Sequence, residues 1–170
     1  VVIVRKVDRL GTITTVAGTG VAGFSGDGGQ ATTAQIAFPY GLSIDTYGNL
    51  YIADLGNARV RRVAVDGNIT TLAGGGTLDP GATAGMLATS ARLAAPRNVL
   101  ADDSGVLYIS DFGGHRVYQL SQAGLLSILA GTGVRGYTGD GGPGSAAQLA
   151  YPAGLASAFD GSLNLDDSLN

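Results

Sequence analysis

His115 is the only histidine in the 170-residue chain, so imidazole proton transfer near neutral pH rests on one side chain. Ser110 and Asp111 lie just before it, and the three are the residue types of a nucleophilic triad. A triad needs mutual hydrogen-bond geometry, which spacing does not supply, and its turn position makes His115 an exposed side chain first. Asp27 and Asp140 stand in twin Gly-Asp-Gly-Gly loops, Gly26–Gly29 and Gly139–Gly142. Carboxylates in such loops suit calcium, but calcium takes roughly six to eight oxygens and neither residue belongs to an Asp-x-Asp pattern. A turn-capping carboxylate that accepts nearby N–H groups is the simpler role. Gly18-Thr19-Gly20-Val21-Ala22-Gly23 fits the dinucleotide fingerprint, which requires glycines that open a helix after a parallel strand. Here the segment runs on into more glycine and recurs 113 residues later, so no cofactor is expected. The chain has no cysteine and its thirteen acidic residues are all aspartates, which removes thiolate ligands, disulfides and glutamate bases together.

What remains for recognition is a set of aromatic and cationic side chains, namely Phe24, Tyr40, Arg97, His115, Arg135 and Tyr137. Rings and arginines dominate binding hot spots, and Arg97 and Arg135 depart from the neighbouring repeats. Phe24 and Tyr137 also read as side chains that pack glycine-rich loops down. A formal charge of −3, with Lys6 as the only lysine, gives no basic field for phosphate backbones, so nucleic acid is not an expected partner. No apolar run is long enough for a membrane-spanning helix, and no membrane partner is expected. The start at Val1 rather than Met fits a processed leader or a fragment.

These residues must be held by strands. Twenty-nine glycines imply frequent turns, and a chain without Glu and nearly without Lys lacks the usual helix formers. Phe38-Pro39-Tyr40-Gly41-Leu42 recurs as Ala95-Pro96-Arg97-Asn98-Val99 and as Tyr151-Pro152-Ala153-Gly154-Leu155. Gly48-Asn49-Leu50-Tyr51-Ile52-Ala53-Asp54 returns as Gly105-Val106-Leu107-Tyr108-Ile109-Ser110-Asp111, and more weakly at Gly161–Asp167. Each unit reads as four short strands separated by Asp-Gly and Gly-Asn turns, which tolerate the positive φ of tight hairpins. Four antiparallel strands repeated about an axis make a propeller blade. Asp45, Asp54, Asp102 and Asp111 recur at strand ends, and recurrence argues for turn closure or pairing with Arg59 or Arg116 rather than for chemistry needed once.

The stretch Gly48 to Val63 resembles the NHL-repeat β-propeller family, in its long-repeat bacterial type with a Gly-Asp-Gly-Gly insert, and the resemblance covers essentially the whole chain. The third unit departs from it at Asn164, Ala158 and Gly114. The expected fold is all-β, a single unit over 1–170 holding three blades' worth of strands. Residues 1–17 supply the third and fourth strands of a split blade, 41–74 and 98–131 are whole blades, and 154–167 supply a first and a second strand. Three blades do not close a ring, and the split halves leave open edges that template association. The expected assembly is therefore a homodimer joined head to tail through its terminal strands, giving six blades. The resemblance implies a non-catalytic scaffold that binds a protein, peptide or glycan on the face of the long glycine-rich loops. It also implies two alternatives: a lyase- or lactonase-like enzyme with a metal in the central tunnel, or an excised or engineered propeller half without an evolved ligand. The resemblance favours a secreted or periplasmic compartment.

Overall fold

The computed structural model describes residues 1–81 and 85–169. Strands β1 (Val2–Val7) and β2 (Ile13–Gly20) form a two-stranded sheet. Strands β3 (Pro39–Ile44), β4 (Leu50–Asp54), β5 (Arg59–Val63) and β6 (Ile69–Gly74) form a four-stranded sheet in sequential order. A five-stranded sheet follows, built from β7 (Met86–Leu87), β8 (Pro96–Ala101), β9 (Leu107–Asp111), β10 (Arg116–Leu120) and β11 (Leu125–Ala130), in the order β7-β11-β10-β9-β8. Strands β12 (Pro152–Ser157) and β13 (Leu163–Asp167) make the last pair. All these pairings are antiparallel.

Aspartates build the turns. The Asp45 carboxylate accepts the N–H groups of Tyr47 and Asn49, the Asn49 amide and the Tyr51 hydroxyl. Asp102 repeats the pattern with Ser104, Val106 and Tyr108. Such side-chain-to-backbone bonds fix a three-residue reversal, closed by the Asp45 N–H on the Asn49 carbonyl and the Asp102 N–H on the Val106 carbonyl. A bulge at Val60/Arg61 recurs at Val4/Arg5 and at Val117/Tyr118.

The sheets pack face to face through their apolar rows. Tyr51, Ala53, Val60 and Ala73 meet Val99, Ile109 and Tyr118 in the largest core cluster. Val4 and Ala17 join Ile36, Ile52, Val63 and Ile69 in the second, and Val117 and Ala130 meet Leu155, Leu163 and Leu165 in the third.

One sheet has five strands where the repeat predicts four. The connections leading into the four- and five-stranded sheets cross those sheets' outer edges; before β3 the crossing meets the start of β6, with Gln30 bridged to Asn68 and Gly28 and Gly29 bonded to Ile69. Before β8 the same crossing lengthens into β7, with Leu87 opposite Leu125 and Met86 opposite Leu126. Burial of Met86 supplies the reason the second crossing lies flat. The fingerprint-like glycines continue β2 and lead to a short 3₁₀ turn at Ala31–Thr33, repeated at Ala88–Ser90 and Gly144–Ala146. No helix among the described residues is long and apolar enough to cross a membrane.

Candidate functional site

The second-to-third-strand turns and the connections between sheets meet along one seam. Asp54 and Asp111 end β4 and β9 and are fully buried. Asp54 accepts the Ala37 N–H at 2.7 Å and the Asn57 amide at 2.8 Å, and Asp111 accepts the N–H groups of Ala94 and Ala95. Asp167, at the same place in β13, accepts from Ala150 at 2.5 Å. These carboxylates close the backbone that leads into each first strand. Burial pushes Asp54 and Asp111 above the usual carboxylate range, against the hydrogen bonds that favour their charged forms. Burial, reinforced by the Asp111 charge, likewise lifts the Tyr118 hydroxyl to about 12.

Arginine pairing differs from the expectation. Asp54 pairs with Arg61 rather than Arg59, at 3.4 Å, and Arg116 pairs with Asp79 at 3.1 Å. The Arg61 side chain is 0% exposed and also binds Asp27 at 2.7 Å and the carbonyls of Ser25 and Gln35. The second oxygen of Asp27 accepts from Thr71. The Asp27 carboxylate is thus taken up by a guanidinium and a hydroxyl, an arrangement for an ion pair and not for a cation site. Asp140 accepts from the Tyr137 hydroxyl at 3.4 Å. Among the described residues no three His, Cys, Asp or Glu side chains converge as metal ligands.

Four of the six recognition candidates come together in a strip of stacked rings and cations. The Arg97 guanidinium lies 4.7 Å from the Tyr40 ring and 4.6 Å from the Phe112 ring, and it donates to the Tyr40 hydroxyl at 3.1 Å. Phe112 meets Tyr151 at 4.8 Å. Tyr151 takes the His115 ring edge-on at 4.6 Å and Arg135 at 5.1 Å. The Tyr151 N–H donates to His115 Nδ1 at 3.2 Å, which places the proton of the neutral imidazole on Nε2. Ser110 meanwhile donates to the Ala153 carbonyl at 2.6 Å, and Asp111 serves Ala94 and Ala95, so the three do not form a triad.

His115 and Tyr151 both have left-handed backbone, with φ of 53° and 62°. Ala58 repeats it at the position matching His115, and Phe38, two units back, at the position matching Tyr151, whereas Ala95 between them is not left-handed. The conformation at His115 therefore belongs to the repeat, and the one at Tyr151 is shared with the first unit.

The other two candidates go elsewhere. Phe24 lies under Arg59 at 3.8 Å and Arg61 at 4.8 Å, in a loop tied down where Asn57 donates to the Gly23 carbonyl; it packs its glycine-rich loop. Tyr137 contacts Asp140 at the exposed tip of the second loop. Sequence reasoning missed Phe112 and Tyr151. Each replaces an aliphatic or smaller residue of the unit before it, Phe112 replacing Leu55 and Tyr151 replacing Ala95, and that departure was the available signal.

Comparison with known proteins places the chain. The Teneurin NHL domain family matches residues 20–84. Teneurin-1 of Gallus gallus is 32% identical over 111 residues, 62% of this chain and 4% of that protein. Among solved structures, an auxiliary nutrient binding protein from Bacteroides thetaiotaomicron matches with a TM-score of 0.68 at 18% identity over 96% of this chain and 40% of its own. A streptogramin B lyase matches with a TM-score of 0.56 at 15% identity over 96% of this chain and 40% of its own. The chain thus spans a few per cent of the curated relative and less than half of either solved chain, and at these identities the solved structures speak to the propeller-like fold alone. With its repeated strands, turn aspartates and face-packed antiparallel sheets, the chain is similar to NHL-repeat proteins, and residues 20–84 carry the match to the Teneurin NHL domain family.

Proposed function

We propose that this chain is a non-catalytic interaction scaffold, half of a six-bladed ring made by two copies, that binds an acidic protein or peptide segment on the seam running from Tyr40 to Arg135. The observation that carries this reading is the strip itself. Arg97 and Arg135 are stacked on rings, and among the described residues neither has a carboxylate within ion-pair distance. Guanidinium groups held flat against aromatic faces keep their N–H edges for a ligand carboxylate. The rings supply apolar area at low entropic cost, and Tyr40 is exposed.

The single histidine is engaged by the Tyr151 backbone, and both neighbouring polar side chains are committed to structure, which supports recognition over acid–base chemistry. Selection from a random peptide display library tests the reading. Enriched peptides should be acidic, and Arg97→Ala should weaken them at least tenfold in titration, while Arg9→Ala, on the exposed β1–β2 turn, leaves them unchanged. Peptides indifferent to Arg97 and Arg135 would overturn it.

A further inference from the structure

The two complete sheets treat one corner differently, and the filled corner shows what the open one accepts. In the first, four residues hold the glycine-rich loop that carries Phe24. The Arg59 and Arg61 guanidinium groups lie 3.8 and 4.8 Å from its ring. The Asn57 amide donates to the Gly23 carbonyl, and the Gln35 N–H donates to the Ser25 hydroxyl. In the next unit the same positions are Arg116, Tyr118, Gly114 and Arg92. The register is the same, since Arg116 opposes Asp111 and Tyr118 opposes Ile109, as Arg59 opposes Asp54 and Arg61 opposes Ile52. Here, among the described residues, all four line one cavity of about 510 Å³, together with Asp79 and Ala94.

The corner is open because the connection takes another path. Ala22 bridges Ile36 in the first unit, whereas Leu78 bridges Ala91, the counterpart of Ala34, in the next. The Arg92 N–H is then taken by the Leu78 carbonyl. Asp79 accepts from Arg116 at 3.1 Å and Gly81 lies against the same guanidinium, and neither carries a ring. No residue from Gly75 to Ala91 is aromatic, so this connection has no counterpart of Phe24 to offer.

We infer that the cavity is a site for an aromatic side chain of a partner polypeptide, a phenylalanine or tyrosine on a loop with an acidic residue close behind it. The chemistry is that of Phe24 and Asp27. Cations along a wall attract the negative face of a ring, and an aromatic side chain entering a pocket is the usual anchor of a polypeptide interface. Asp79 is engaged by Arg116, while Arg92 is exposed and among the described residues has no carboxylate within ion-pair distance. A carboxylate following the ring would meet Arg92, as Asp27 following Phe24 meets Arg61. None of the residues lining this cavity belongs to the strip from Tyr40 to Arg135, so the site goes beyond the reading above and stands without it.

Heteronuclear NMR titration of the 170-residue chain with an acetylated, amidated peptide of the sequence of residues 22–30 tests this. Amide shifts should centre on Ala94, Gly113 and Gly114, and a peptide with alanine in place of its phenylalanine should bind at least tenfold more weakly. Ala94→Trp, which puts a ring of the chain's own into the cavity from an exposed position, should weaken binding at least tenfold, and Arg92→Glu at least threefold, while Arg9→Ala leaves it unchanged. Circular dichroism of each variant separates lost binding from lost folding. No shifts up to the solubility limit of the peptide, shifts centred on Phe24 and Arg59 instead, or equal affinity for the alanine peptide would each overturn the site. Losses below twofold for both Ala94→Trp and Arg92→Glu would overturn it as well.

Discussion

At the scale of single residues, the chain places one fully buried cation among carboxylates of two different elements. Removing one partner of a buried pair leaves the other charge stranded, at a cost of about 3–5 kcal/mol. Arg61→Ala is therefore expected to destabilise the fold by roughly that amount in urea titration, more than Arg62→Ala, whose side chain is only partly buried. The carboxylates divide by environment. At Asp45 and Asp102 burial acts upward, but hydrogen bonds outweigh it and hold both below the ordinary value of 3.8. Their contribution is present above 3.8 and is lost as the pH falls through the depressed values. Asp54 and Asp111 act in the opposite sense: their contribution is full below 3.8 and is lost as pH rises through the raised values. Asp45→Asn with Asp102→Asn should therefore reduce the loss of stability between about pH 7 and about pH 3, read from urea melts at the two pH values. The turn aspartates were legible in the sequence because each acts on its own neighbours. Arg61 was not, because in Val60-Arg61-Arg62-Val63 the two adjacent arginines look alike and the residues that neutralise Arg61 stand 34 and 7 positions away. The pairing of Gly-Asp-Gly-Gly with arginine in the following third strand was the trace it left.

At the scale of elements, hairpin chemistry made the strands and their order readable, while the crossings between sheets were less so. Strand β7 is two residues long, too short to show a period, and it exists because a neighbouring edge was free to accept it. Where β6 ends, Gly74 has a φ of +83°, and a Cβ there would press on the Ala58 carbonyl oxygen. Ala58 is itself left-handed, so neither side can yield cheaply. Gly74→Ala should cost at least about 1 kcal/mol in thermal or urea melts, whereas Gly28→Ala, with the same sign of φ and open space around it, should cost less. The ring-and-arginine strip was half legible. Tyr40, Arg97, His115 and Arg135 stood out as departures from the repeat, but contact between them depends on how adjacent sheets pack, and that brought in Phe112 and Tyr151.

At the scale of the whole molecule, the proposed two-copy ring would have two symmetric joints, so a change at one terminal edge would strike both. Folding and association would then be linked, and the melting temperature of the chain should climb with its concentration in a thermal melt.

The crossings at Gln30 and at β7 have a bearing on fibre formation. Both cover the first residues of the outermost strands, β6 and β11, with the chain's own backbone. Edge-to-edge addition of a strand from another molecule, the step by which cross-β aggregates grow, is blocked over those stretches.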